Sequence, residues 1–346
     1  RVWAFLRFAL GATLAGIKTK DIDLVFATST PLTIILPGYI TSRWKAAPLV
    51  FEVRDLWPTL PIAVGALQNP VIKWLCCLLE RFAYRSSKRC IALSPGIKEG
   101  VIQTGYPEDH VTVIPNGCDT DLFRVGSERA EVFYEKFPYL RGGPLVVYGG
   151  TLGLINGVNY VVKLAAEMRH LNPSVRFLIS GDGAEREIIQ QNAEALGVLN
   201  QNLWMIPPLA KNEMPDLLAS SSVALSVFLN IPEMQHNSAN KVFDTLAAGK
   251  PVCLNYRGWQ ADLIESRGAG LVLHPNDLAI AARDLCDFLS DKDGLLRAGE
   301  QSTALAESRF SRDRLAGEFR VVLEKVAAGD PASARRRRRL LLIKRL

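Results

Sequence analysis

The chain has 346 residues, 48% hydrophobic and 22% charged, with a formal net charge of +6. That length holds two domains with real cores, and the composition is that of a globular protein. Arg335–Arg339, Lys344 and Arg345 lie in an acid-free tail, so the rest of the chain is near neutral and a nucleic-acid-binding face is excluded.

The opening "RVWAFLRFALGATLAGI" reads as the middle of an amphipathic helix, which predicts that the natural chain starts upstream of Arg1. No secretory signal is evident, and no apolar run reaches the ~18 residues of a membrane span. Short apolar runs then alternate with helical ones. Strands are predicted at 23–29, 48–53, 89–94 and 111–116, and a helix over 70–86. A polar, charged connector spans 124–143. The second series has strands at 144–150, 175–181, 202–208, 223–228 and 250–255. Its helices are predicted at 157–170, 184–196, 212–221, 238–248, 276–290 and 311–327. Strands spaced by helices imply parallel sheets covered on both faces. Two such series predict an α/β architecture of two doubly wound domains facing a cleft.

The six cysteines lack C-x-x-C spacing and mostly sit in apolar runs, as buried thiols in a reducing compartment do. His110, His170, His236 and His274 are scattered without metal-ligand spacing. No Ser-His-Asp or Cys-His constellation stands out.

Several segments carry chemistry. In "YGGTLGLINGVNYVVKLA" a strand ends in Gly149, Gly150 and Gly153 before a helix. Such a turn brings backbone N–H groups and a helix N-terminus to an anion; a plain strand-to-helix turn reads equally well. "LISGDGAEREIIQQ" repeats the pattern with Gly181 and Gly183, Asp182 or Gly183 capping the next helix. In "NSANKVFDTLAAGKPV", Ser238 reads as a helix N-cap and Gly249 as the stop. Ala239, Val242, Phe243, Leu246 and Ala247 form its buried stripe. Lys241 and Asp244 share a second face, suited to a diphosphate and to ribose hydroxyls; the alternative is an exposed i, i+3 pair. In "FEVRDLWP", Arg54 and Asp55 end a strand of the first domain, where they orient a hydroxyl and an anionic group or pair with each other to hold the loop.

Taken together, "VRDLWP", "ALSPGIKEGVIQTGYPEDHVTVIPNGCDTDLF", "GGTLG", "GDGAER" and "KVFDTLAAGKPV" resemble a retaining family 4 glycosyltransferase of the GT-B fold. The nearest resemblance is to the bacterial branch of N-acetyl-L-fucosamine transferase-like proteins. It spans about residues 21–325. It implies an acceptor-side Rossmann-like domain over 1–140 that lacks the family's first strand and glycine-rich loop. A nucleotide-sugar domain follows over 141–310, then a C-terminal helix over 311–330 and a basic tail over 331–346. The donor it implies is a nucleotide sugar, usually UDP-linked, with no metal or other cofactor. Gly149, Gly150, Thr151, Leu152 and Gly153 match the diphosphate turn. Gly181, Asp182, Gly183 and Asn240 join the donor site, and Asp244 stands where the family has a ribose-binding Glu. The family's preceding Glu falls at His236, or at its neighbour Gln235. Asn156 replaces a common basic residue, leaving Lys241 as the diphosphate cation. Arg54-Asp55 matches a His-Asp beside the transferred sugar.

The function this implies is hexosyl-type transfer with retention. N–H groups from Gly150 to Gly153 and Lys241 would stabilise the departing diphosphate, with Arg54 and Asp55 as further catalytic residues. The acceptor is a polyprenyl-diphosphate-linked sugar or glycan of surface polysaccharide synthesis, such as lipopolysaccharide O-antigen, capsule or exopolysaccharide. The resemblance places the protein in the cytoplasm with peripheral contact at the inner membrane face, to which the arginine tail adds unless it is a solvated extension. Two other readings stay open: a non-catalytic nucleotide-sugar-binding scaffold subunit, and a nucleotide-sugar epimerase of the same plan.

Overall fold

A computed structural model describes residues 2–124, 126 and 128–329; the predicted tail role of Arg335–Arg339 lies outside them. The described residues divide into two compact units. The first comprises residues up to Pro115, the segment His236–Ser238 and the chain from Leu315; the second comprises Asn116–Gln235 and Ala239–Arg314.

The first unit is built on a four-stranded parallel sheet, in the order β1 (Val25–Thr28), β2 (Leu49–Val53), β3 (Arg89–Ala92) and β4 (Val111–Val113). One face packs Phe51, Cys90 and Ala92 against Ala83, Tyr84 and Ile97 from the flanking helices. The other packs Val50, Ile91 and Ile114 against Leu315, Val322 and Val326 of the helix Arg312–Ala328. That burial is why most of the last described helix belongs with the first sheet.

The second unit has a six-stranded sheet in which every pair is parallel. Its order is β10 (Gly270–Val272), β9 (Val252–Leu254), β8 (Val223–Ser226), β5 (Leu145–Gly149), β6 (Arg176–Ser180) and β7 (Leu203–Ile206). Strands buried on both faces read as continuous apolar runs, and β5 and β8 are fully apolar or small along their length. The two faces carry separate cores, one around Leu145, Val147, Leu178 and Phe243, the other around Val146, Tyr148, Phe177 and Ile179. β10 and the helix Lys292–Leu305 were not read from the sequence.

The change from the first unit to the second falls at Pro115/Asn116, ahead of the connector. The connector is not a loose link. Residues Glu128–Lys136 form a helix that packs on the helix Met214–Ser220. Arg129 ion-pairs with Asp216 at 2.8 Å, Lys136 with Glu213 at 3.0 Å, and Tyr134 Oη donates to the Ser220 carbonyl at 3.0 Å. Phe133 is buried, 4.8 Å from the Phe137 ring. The six cysteines are free thiols; Cys90, Cys118 and Cys253 are buried, whereas Cys76, Cys77 and Cys286 are only partly so. Among the described residues no helix is long and apolar enough to cross a membrane.

Phe133→Ala should therefore destabilise the second unit by roughly 3–5 kcal/mol, read as a lower urea midpoint. A connector that only linked two units would leave the midpoint unchanged.

Candidate active site

Strand order singles out one place in the second unit. From β5 the chain runs outward through β6 and β7, then returns to lay down β8, β9 and β10 on the other side. The segments leaving β5 and β8 therefore part in opposite directions and open a crevice at the carboxyl ends of the strands, where open parallel sheets bind ligands. A cavity of about 380 Å³ occupies it. Gly149, Gly150 and Thr151 come from the end of β5, Phe228 from beyond β8, and Asn240, Lys241 and Asp244 from the helix Asn240–Ala247. Val147, Leu218, Leu225 and Met214 supply apolar walls.

The glycine turn after β5 offers fewer donors than its sequence implies. The Gly150 N–H donates to the Ser180 carbonyl and the Leu152 N–H to the Asp182 carbonyl, both at 2.9 Å. Leu152 is fully buried and, like Gly153, is absent from the cavity wall. Among the described residues the N–H groups of Thr151 and Gly153 have no protein acceptor, and only Thr151 faces the cavity.

The second glycine turn lies behind the first. A Cβ on Gly181 would sit 1.9 Å from the Gly150 carbonyl oxygen, and one on Gly183 (φ +155°) 2.4 Å from the Leu152 oxygen. Both positions require glycine because two backbones meet there. The Gly181 N–H goes to the Ile206 carbonyl, and the Gly183 N–H to Asp182 Oδ1. Gly181, Asp182 and Gly183 do not line the cavity; they hold the loop that does. Nor does Asp182 or Gly183 cap the next helix, Arg186–Ala195, whose N-cap is Glu185.

The helix Asn240–Ala247 carries the charged pair. Ser238 is not its cap: the N-cap is Ala239, whose N–H reaches Gln260 Oε1 at 3.3 Å. The stripe of Ala239, Val242, Phe243, Leu246 and Ala247 is buried, and Gly249 ends the helix with φ +65°. Lys241 runs from the first turn into the cavity. Its Nζ donates to Tyr148 Oη at 3.1 Å and stands 4.4 Å from the Tyr148 ring centroid and 5.1 Å from that of Phe228. A Cβ placed on Gly150 would lie 3.5 Å from this Nζ. The Tyr148 hydroxyl in turn donates to the Thr151 carbonyl at 2.9 Å. One phenol thus fixes the lysine and the glycine turn together. Among the described residues no carboxylate pairs with Lys241, and burial pushes its pKa down to about 7.

Asp244, one turn on, does not pair with Lys241. Burial raises its pKa to about 6, Lys211 and Arg312 pull it down, and Asp119 pushes it up. Above that pH it is a half-buried acceptor on the cavity wall. Lys241 and Asp244 are therefore not an exposed surface pair: each faces the cavity without the other.

Arg54 and Asp55 follow β2 in the first unit. Asp55 Oδ2 accepts from Thr30 Oγ1 at 3.2 Å, and the Arg54 N–H donates to Ser29 Oγ at 3.0 Å. The Arg54 guanidinium ion-pairs with Glu52 at 3.8 Å, not with Asp55. Burial raises the Asp55 pKa against the Thr30 hydrogen bond and the charge of Arg54. Sequence reasoning missed Tyr148 and Phe228. Their only trace was an aromatic before "GG" and another just after the apolar run "VALSV".

Residues 1–117 match the glycosyl transferase 4-like domain, and residues 134–305 match glycosyl transferases group 1. The chain belongs to the family 4 glycosyltransferases. The 2-deoxystreptamine glucosyltransferase of Streptomyces kanamyceticus is 23% identical to this transferase over 295 residues, 84% of this chain and 71% of that protein. A D-inositol 3-phosphate glycosyltransferase of Nocardia farcinica is 23% identical over 280 residues, 78% of this chain and 59% of that protein. Anabaena HepE, solved in complex with UDP, matches the transferase with a TM-score of 0.76 at 18% identity, covering 92% of this chain and 82% of that chain. Sucrose-phosphate synthase from Thermosynechococcus elongatus gives 0.77 at 14% identity, over 94% and 78%. Its fold is GT-B.

Lys241 titrates in the folded transferase well below its ordinary value. The folded state therefore binds fewer protons than the unfolded state between about pH 7 and 10. The cost of burying the ammonium is full below pH 7 and fades as pH rises. Lys241→Met is expected to stabilise the ligand-free protein at pH 6 by roughly 1–3 kcal/mol, with the gain shrinking toward pH 9. Urea unfolding across that range checks it; a gain independent of pH would contradict it.

Proposed function

We propose that this transferase moves a sugar from a UDP-sugar, with retention at the anomeric carbon, to a polyprenyl-diphosphate-linked or glycan acceptor of cell-surface polysaccharide synthesis. The observation that carries the reading is the Lys241 ammonium, without a carboxylate partner among the described residues, beside the Gly150 turn in the switch-point cavity. Support for the donor class comes from HepE, solved with UDP and with UDP-glucose.

In this reading the diphosphate supplies the charge that Lys241 lacks. An anion beside the ammonium favours its protonated form and offsets its desolvation. The Thr151 N–H is the backbone donor beside it. Asp244, ionised at neutral pH, accepts from the ribose hydroxyls. As the bond from the anomeric carbon to the diphosphate oxygen breaks, negative charge grows on the β-phosphate, where fixed positive groups stabilise the transition state more than the ground state. The acceptor hydroxyl attacks from the same face, its oxygen bonds to the anomeric carbon, and its proton passes to the departing phosphate. The protein then contributes positioning and electrostatics without a covalent nucleophile. Arg54 and Asp55 keep the place the resemblance implies, beside the transferred sugar, Asp55 orienting a hydroxyl and Arg54 binding an anionic group. The finer assignment, to the N-acetyl-L-fucosamine transferase-like branch, and the cytoplasmic location are part of the same proposal.

Calorimetry with two probes tests the assignment of the two charges. Lys241→Met should weaken UDP-glucose by ~1.5–3 kcal/mol, roughly 10- to 100-fold, while leaving uridine nearly unaffected. Asp244→Ala should weaken both alike. Equal effects of Lys241→Met on the two probes would remove Lys241 from the diphosphate. Sugar transfer that yields a product of inverted anomeric configuration by NMR would overturn retention. Binding without turnover would favour the scaffold reading.

A further inference from the structure

Behind the wall of the donor cavity runs a chain of buried polar groups that do not touch the cavity. The segment "NYRGWQ" follows β9, and Asn255, Tyr256 and Gln260 are buried, Gln260 to 1% exposure. The Asn255 amide grips one residue twice: Oδ1 accepts from the Phe228 N–H at 2.9 Å, and Nδ2 donates to the Phe228 carbonyl at 3.0 Å. The Tyr256 and Phe228 rings meet edge to face at 5.2 Å. The Tyr256 hydroxyl lies 3.2 Å from Ser226 Oγ and donates to Gln260 Oε1 at 3.0 Å. That same oxygen accepts from the Ala239 N–H. The turn between Tyr256 and Gln260 is also tightly packed: a Cβ on Gly258 (φ +110°) would sit 2.1 Å from the Gln235 carbonyl oxygen. None of Asn255, Tyr256 and Gln260 lines the cavity.

A helix often fastens its own start. In a capping box the side chain at the third helical position reaches back to the N–H of the cap residue, while the cap's side-chain oxygen takes an N–H of the first turn. The helix Asn240–Ala247 has neither device, because its cap is Ala239 and its third position is Val242. Gln260 supplies the missing half from another helix, Trp259–Arg267. Lys241 stands at the second helical position, two residues from that bond. The glutamine is costly where it stands. A backbone N–H only donates, so the amide oxygen must face Ala239, and Nε2 is left buried without an acceptor among the described residues. An apolar side chain of similar size would avoid that penalty. Packing therefore does not account for a glutamine at this position; the hold on Ala239 does.

We propose that Gln260, steadied by Tyr256, is a positioning residue of this transferase, fixing the first turn of the donor helix so that Lys241 points at the Gly150 turn. Gln260 acts through the backbone of Ala239 and not by touching a ligand. The helix has only eight residues, so a loosened start is a large share of it. Lys241, in the first turn, then swings toward water. Asp244, one turn on, stays anchored between the buried Phe243 and Thr245. Loss of the Gln260 bond should therefore separate the two charges of the site. The inference rests on the donor-site reading only for the diphosphate; the aim of Lys241 is a property of the ligand-free protein.

Gln260→Met in the full chain keeps the bulk of the side chain and removes the acceptor. Two readouts test it: the Lys241 pKa of the ligand-free protein by NMR, and calorimetry with UDP-glucose and with uridine. The pKa should rise from about 7 by roughly one unit or more, because water favours the charged form. UDP-glucose should weaken roughly 3- to 30-fold, and uridine by less than about twofold. Tyr256→Phe keeps the ring and removes only the hydroxyl behind Gln260. It should move both readouts the same way by less, and it decides the matter if Gln260→Met does not fold. A Lys241 pKa that neither variant moves would overturn the proposal, as would equal weakening of UDP-glucose and uridine by Gln260→Met. If the natural chain binds no UDP-glucose, the donor-site reading fails, while the Lys241 pKa still decides the role of Gln260.

Discussion

A half-buried lysine ammonium with no carboxylate beside it is costly, and the site in the second unit is organised around that cost. Lys241 reaches the carboxyl end of β5 and finds there a phenol oxygen, two ring faces and a glycine turn. None of these carries a negative charge, so burial drives its pKa down to about 7. A cation–π contact of ~0.5–2 kcal/mol and one neutral hydrogen bond do not replace the lost hydration. The strain is relieved by anything that brings an anion into the cavity. A group held in this state is preorganised for charge that arrives from outside.

The rest of the second unit holds this arrangement in place. Helix burial through Val242, Phe243 and Leu246 sets the direction in which Lys241 leaves its first turn. The sheet order opens the crevice between the β5 and β8 ends. Gly181 and Gly183 let a second turn press against the first, which ties up two of its N–H groups and fixes its path. Tyr148 links the lysine to the carbonyl of Thr151. Rigidity of the turn and strain at the ammonium are thus consequences of the same packing.

How much of this was legible in the sequence follows from the range of the interactions. The helix over 70–86 was placed to the residue because its signals are local: Asn69 accepts from the Val71 and Ile72 N–H groups, and Pro70 opens the first turn. Most strands were visible as apolar runs, but β10 opens on Gly270 in the glycine-rich stretch "RGAG" and did not register, and Lys292–Leu305 hid behind two glycines and scattered charge. The proximity of Lys241 to the glycine turn was anticipated from motif order. Which N–H groups remain available was not, because their acceptors, Ser180 and Asp182, come from a different strand end. The connector helix was missed for a similar reason: "ERAEVFYEK" looks solvated until Phe133 meets a core formed by distant segments. The outward apolar stripe of Pro70–Ser86 has the periodicity of an ordinary core helix, and only the fold shows which side faces in.

The most direct test of the central claim is an NMR titration of the Lys241 side chain, assigned by its loss in Lys241→Arg, with and without saturating UDP-glucose. The account predicts an apparent pKa near 7 in the ligand-free protein, rising by roughly two units or more when the diphosphate is bound. An ordinary lysine pKa without ligand, or a depressed value that UDP-glucose does not move, would contradict it.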